Sequence, residues 1–402
     1  MILGKLLALD QTIEVDSPLS VLAIVMLGMM ASAILFISPV LIGSMVELLE
    51  FTDAQAGYVV SAELAGMSLA ALPALYWAPL VNWRVALLLA LCAVIVGNFV
   101  SAAFVDFYSL VTMRFLVGLA GGSAMAICLA TIGLTRDPDR TFGLWVTGQL
   151  VFGAIGLFVL PRTLSVTGYG FIYIVIAIMI TGLLFLLRFL PQYGHPVSKA
   201  DSPRLPDARH FSGLVLGTGG LLAIFVFYVG QYGIWAYLDR MGAAAGLQPE
   251  TIGEALSLAT IIGVMGALSA AVLSARYGRL LPIAVGSGIS ICAMGLLLDG
   301  FGFYRYVLAT CIFSFTFNFI LPYLMACVAS IDDTGRLIIL SNMSSGAGLA
   351  AGPALAAVLQ VSFGYTAVIS AGVIFTGLSL LLIGKLAVIH SSPGQSHHTS
   401  PS

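Results

Sequence analysis

Residues 107–156 read FYSLVTMRFLVGLAGGSAMAICLATIGLTRDPDRTFGLWVTGQLVFGAIG. At the centre of the first apolar run stands one arginine, Arg114, followed by Gly118, Gly121 and Gly122. A charge at bilayer depth costs roughly 2.5–3.5 kcal/mol even on insertion scales, so Arg114 has to be paired or functional. Spacings of three and four residues put the glycines on one side of a helix, where they serve helix packing by letting another backbone approach closely. A charged turn, Arg136-Asp137-Pro138-Asp139-Arg140, separates this run from the next apolar one.

The rest of the chain has the same character. Of 402 residues, 60% are hydrophobic and 8% are charged. Soluble domains average about 25% charged residues, which excludes a water-soluble fold. The net charge of −2 gives no basis for nucleic-acid binding. Cys92, Cys128, Cys292, Cys311 and Cys327 all fall in apolar runs without metal-ligand or redox spacing. They read as core residues, and neither a metal nor a cofactor is expected. The first nineteen residues hold Lys5 among Asp10, Glu14 and Asp16, which is not the pattern of a cleavable signal.

A helix needs about 20 apolar residues to cross a bilayer. Twelve such runs occur, at 20–43, 54–78, 85–104, 108–134, 141–161, 169–189, 212–238, 251–274, 280–298, 303–328, 337–360 and 364–388. The expected organisation is a lead-in at 1–19, a six-helix bundle at 20–190, a polar central loop at 191–211, a second bundle at 212–388 and a disordered tail at 389–402. With the amino terminus inside, twelve lysines and arginines fall on the cytoplasmic side and only Arg162, Arg240 and Arg305 outside. That bias puts both termini in the cytoplasm.

The two halves repeat at an offset of 196. Gly57 maps to Gly253, Phe107-Tyr108 to Phe303-Tyr304, Asp137 to Asp333, Arg140 to Arg336 and Gly156 to Gly352. A constant offset across several helices implies an all-α membrane protein of 12 transmembrane helices, built as two parallel-repeat six-helix bundles (6+6).

The helix count, central loop and repeat resemble the major facilitator superfamily (MFS) of secondary transporters over nearly the whole chain. Arg114-x-x-x-Gly118 is similar to the family's motif in helix four, and Arg276-Tyr277-Gly278-Arg279 to its cytoplasmic loop signature. Ala275 stands where the family usually has an aspartate, and the first half keeps only Pro79, Asn82 and Arg84 of the corresponding loop. Gly348, Gly352 and Pro353 resemble the glycine–proline motif that antiporters of the family carry in helix five; here it lies in the eleventh run, as a packing element. The resemblance implies that runs one, four, seven and ten line a central cavity.

Glu63 is the sharpest candidate for coupling. It lies about 14 Å below the outer end of the second run, and Arg114 about 10 Å below the same side of the fourth. The expectation is an ion pair whose carboxylate exchanges protons, with a static brace as the alternative. For a substrate cavity, Tyr228, Gln231, Tyr232 and Trp235 share one helical face, joined by Ser314, Phe317 and Asn318 from the tenth run and Met30 from the first. Asp137, Arg140, Arg276, Arg279, Asp333 and Arg336 are expected to form a cytoplasmic gate.

These features predict a multi-pass inner- or cell-membrane transporter that carries a small apolar or aromatic organic compound by alternating access. Coupling to protons or another ion is expected, with efflux by antiport favoured over the alternative, an uptake symporter. A monomer in the lipid bilayer is expected. An ATP-driven pump lacks its phosphate-binding loop. An intramembrane enzyme lacks a base near a nucleophile, since all five histidines lie in the central loop and the tail. A transporter-like sensor remains as a third reading.

Overall fold

The computed structural model describes residues 14–193, 211–273, 276, 278–298, 300–329 and 336–391. Most of the central loop, the end of the tail, Ala275, Tyr277, Asp332 and Asp333 therefore lie outside the described residues. No β-strand occurs among those described. The helices are α1 (Pro18–Leu48), α2 (Asp53–Trp77), α3 (Trp83–Ala103), α4 (Phe107–Ile132), α5 (Pro138–Thr167) and α6 (Phe171–Leu183) in the first half. The second half has α7 (Phe211–Ala244), α8 (Pro249–Leu273), α9 (Leu280–Gly295), α10 (Phe303–Ala329), α11 (Leu340–Phe363) and α12 (Tyr365–Leu386). Ten of the described helices are long and apolar enough to cross a membrane.

Polar residues fix where helices begin. Thr52 and Gln55 form a reciprocal capping box at the start of α2. Asn82 caps α3 through the N–H groups of Arg84 and Val85. At α4, Asp106 accepts from the N–H of Ser109 at 2.9 Å, and that bond holds its carboxyl below the usual range. Asp137 caps α5 through Arg140 N–H, with Pro138 in the first turn.

One helix departs from the single uninterrupted run that the sequence predicts. α1 breaks at Ser32, whose φ of −121° and ψ of 17° divide it into Pro18–Ala31 and Ala33–Leu48. Seven residues on, Pro39 can give no N–H to Leu35, and the Ser38 hydroxyl donates to that carbonyl at 3.1 Å instead. α11 and α12 are separate helices, as the two apolar runs predict, and meet at Gly364. Its φ of 76° is left-handed backbone that favours glycine.

Glycines set the closest helix crossings. A Cβ on Gly118 of α4 would lie 2.1 Å from the Glu63 carbonyl oxygen of α2, and one on Gly122 2.3 Å from that of Met67. Gly121 faces the Ala31 carbonyl just before the break in α1. In the second half, Gly266 of α8 meets the Phe315 carbonyl of α10 in the same way, at 2.2 Å. Under the 196-residue offset α2 becomes α8 and α4 becomes α10, so the halves repeat this crossing. Gly352 serves α11 by approaching Gly233 N and Val229 O of α7, and Pro353 is buried beside it.

The same symmetry appears where the halves meet. Gly57 of α2 lies under Tyr237 and Ala357, while its repeat partner Gly253 of α8 lies under Leu157 O and Pro161 of α5. Gly118→Ala is expected to lower the thermal midpoint in detergent, with overpacking costing about 1–3 kcal/mol. Gly143→Ala on α5, where nothing lies within 4 Å, should leave the midpoint unchanged or raise it.

Candidate functional site

Arg114 and Glu63 meet inside the first half. The guanidinium grips the carboxylate with two bonds, Nη2 to Oε1 at 2.5 Å and Nε to Oε2 at 3.0 Å. Its Nη1 donates to Asn98 Oδ1 at 2.9 Å and to Ser101 Oγ at 3.2 Å. The Tyr173 ring covers the guanidinium at 4.5 Å, and Tyr169 donates to the Tyr173 hydroxyl at 2.9 Å. Four helices, α2, α3, α4 and α6, thus converge on one buried cation whose side chain is 1% exposed. Fork geometry and cation–π cover suit arginine and not lysine here. Ser101 and Tyr173 are absent from the sequence reading. Ser101 sits three residues beyond Asn98 on the same face of α3, which is the one signal that could have found it.

A cavity of about 10 Å³ adjoins the pair, at the lower limit for one water. Met30 is placed against this cavity, together with Ala31, Ala33 and Ile34 from the break in α1. It does not join the residues of the cavity between the halves, where the sequence reading put it. The break is itself held, because Gln149 of α5 donates to the Ser32 hydroxyl.

The cavity between the halves is lined by Phe36 of α1, Leu150 of α5, Gln231, Tyr232 and Trp235 of α7, Thr260 of α8, and Phe313, Ser314, Phe317 and Asn318 of α10. It contains no charged group. Tyr228 stands behind this wall: its ring stacks on Tyr232 at 6.2 Å and meets Phe317 edge-on at 5.8 Å. Asn318 uses its amide N–H on the Ser314 carbonyl one turn back.

Gln231 is fully buried and tied down at one end only. Its Nε2 donates to Thr376 Oγ1 at 3.1 Å and reaches Ser290 Oγ at 3.4 Å. Thr376 spends its own proton on the Gly372 carbonyl, so it must accept from the glutamine. Gln231 Oε1 is left buried without a partner among the described residues. Such an acceptor is costly to leave unmet, and a solute donor would satisfy it.

The end of the bundle that carries Asp53 is sealed. Arg240 Nε donates to Asp53 Oδ1 at 2.9 Å, and Gln360 Nε2 and Tyr365 Oη donate to Oδ2 at 2.8 and 2.6 Å. Tyr237 reaches the Asp53 carbonyl at 2.8 Å, and Arg240 also contacts Glu47 at 3.3 Å. A second inter-half ion pair, Arg162 with Glu254, lies at the same end. Deeper down, Ser61 Oγ donates to the Ala350 carbonyl at 2.6 Å. The partners of Asp53 lie 184 to 312 residues away, so no local pattern in the sequence announces this seal.

The opposite end holds the residues expected to form a gate. Asp137 caps its own helix through Arg140 N–H, and Arg140, Arg276 and Arg279 are exposed. Arg279 donates to the Ala326 carbonyl near the end of α10 at 2.9 Å. Asp333 lies outside the described residues, and Arg336 opens the run that leads into α11. Arg136 pairs with Asp16 and Glu14 ahead of α1, all within the first half.

A family model described as Major Facilitator Superfamily matches residues 20–353. Among solved structures, the crystal structure of a mutant of the nucleoside transporter NupG aligns with a TM-score of 0.66. It is 14% identical, and the alignment covers 92% of this chain and 99% of that one. At that identity the likeness concerns the fold. A comparison with curated proteins returns no match. The apolar helices, the repeated crossings and the family match describe an integral, multi-pass membrane protein and a transporter in place of an enzyme. The chain belongs to the major facilitator superfamily.

Proposed function

We propose that this protein moves an uncharged aromatic solute bearing an N–H or O–H donor across the membrane by alternating access, driven by protons. The observation that carries this reading is the charge-free cavity between the halves, walled by Tyr232, Trp235, Phe317 and Gln231, whose amide oxygen is buried without a partner among the described residues. Polyanionic substrates need basic residues that this cavity lacks. Nucleosides meet the description, and the likeness to a nucleoside transporter supports including them among the test solutes. Efflux in exchange for protons is the favoured direction; a proton-coupled symporter would use the same cavity with the opposite sign of coupling.

The cavity of about 50 Å³ is smaller than the roughly 300–1,000 Å³ of drug-sized ligand pockets. Loading therefore requires the rings of Tyr232 and Phe317 to part as the halves rock. With the termini in the cytoplasm, the sealed Asp53 end faces outside. The pair Glu63–Arg114 acts as a brace within the first half, because a carboxylate held by two charge-assisted bonds has little freedom to exchange its proton.

Flux of radiolabelled aromatic solutes into proteoliposomes under an imposed pH gradient tests the reading. Gln231→Leu should reduce flux about tenfold, the worth of one hydrogen bond near 1.4 kcal/mol, and Phe317→Ala should weaken apparent affinity. A chemical product formed from the solute without flux would overturn the proposal.

Glu63→Gln separates brace from proton carrier. Removing one partner of a buried ion pair costs about 3–5 kcal/mol, so the brace predicts lower abundance and a lower thermal midpoint, partly restored by adding Arg114→Gln. A variant that keeps its abundance but loses proton dependence would assign the coupling role to Glu63.

A further inference from the structure

Asp239 is a buried carboxylate on the sealed seam, at the far end of α7. Its residue is 6% exposed. It packs against α1 at Gly43, where an added Cβ would lie 2.0 Å from Asp239 Oδ2. No hydrogen-bond donor among the described residues reaches it. The charged and titratable groups facing it are Glu47 from α1, Asp53 from α2, Arg240 from α7 and Tyr306 from α10. Tyr306 donates its proton to the Leu238 carbonyl at 2.9 Å. Arg240 is already spent on Asp53 and Glu47. One guanidinium therefore faces three carboxylates, and the third has neither a counter-ion of its own nor a donor.

We infer that Asp239 is the acid whose protonation closes the outer seam, and that it carries the coupling proton. The inference rests on the transport reading for its role in coupling, while the closure itself needs no solute. With the seam open, water reaches the carboxylate and supplies one proton, which converts the anion into a neutral acid. The neutral acid can lie against Gly43 without the cost of burying an unpaired charge. Loss of the proton leaves like charges crowded at the seam and drives α1 and α7 apart. Glu63, clamped by Arg114, takes no part in this step.

The step is tested by measuring the distance between spin labels at Leu48 and Gln248, exposed positions on either side of the seam, in full-length protein with its native cysteines replaced, reconstituted in nanodiscs. As pH rises, the closed-to-open ratio should fall by up to tenfold per pH unit through the titration, as linkage to one proton requires. Asp239→Asn should remain closed at every pH. Gly43→Ala, which displaces the carboxylate from the seam, should stay open throughout and provides the reading if the asparagine variant does not fold. An unchanged pH response in Asp239→Asn, a flat response in the parent protein, a closed seam in Gly43→Ala, or loss of the response in Glu47→Gln alone would each overturn the assignment. Absence of solute flux with an intact seam titration would instead count against the transport reading alone.

Discussion

A guanidinium buried among helices must have its donors met, and most of the first half is arranged to meet those of Arg114. Glu63 takes two of its N–H groups, Asn98 and Ser101 share another nitrogen, and Tyr173 covers its face. For the carboxylate to arrive at that distance, α2 and α4 have to touch backbone to backbone. Gly118 and Gly122 permit it. The small residues and the charge pair are thus one device: the glycines bring the helices together, and the ion pair fixes their register. Helices in lipid lack the hydrophobic drive that packs soluble cores, so such polar contacts and close approaches take over the task.

The second half repeats the crossing without the charges. The positions equivalent to Glu63 and Arg114 are Ala259 and Thr310, and Thr310 donates to its own helix at Tyr306. What α8 and α10 present instead is a polar wall of Thr260, Ser314 and Asn318 on the cavity between the halves. Duplication has therefore been put to two uses. One copy of the crossing is locked by charge, and the other lines the cavity between the halves. The same division explains why the aromatic residues of the cavity come from α7 and α10, with only Phe36 and Leu150 contributed from the first half.

How much could be read in advance followed the range of the interactions. Twelve apolar runs, the repeat and the pairing of Glu63 with Arg114 depend on periodicity, composition and depth, and all three are written along the chain. The break at Ser32 is not legible in the sequence, because it is held by Gln149 from another helix and lies in a run without a charged residue. Asp239 was missed for a related reason. The seventh apolar run ends at Leu238 and Arg240 counts among the outside charges, whereas the helix continues to Ala244. Only the fold brings Gly43, almost two hundred residues earlier, against that carboxylate. Gln231 is marked by the helical face it shares with Tyr228, Tyr232 and Trp235, but the identity of its free end depends on Thr376, which no spacing rule connects to it.

α9 spans sixteen residues, Leu280–Gly295, and at helical rise covers about 24 Å. The hydrocarbon layer of a typical bilayer is about 30 Å thick. Leu296, Leu297 and Leu298 continue the run in backbone bonds to Cys292, Ala293, Met294 and Gly295, adding about 6 Å at the rise of a 3-10 turn, so this flank spans the layer only with that tighter turn. In a membrane of longer acyl chains that turn is the first part of this flank to fall short of the headgroups.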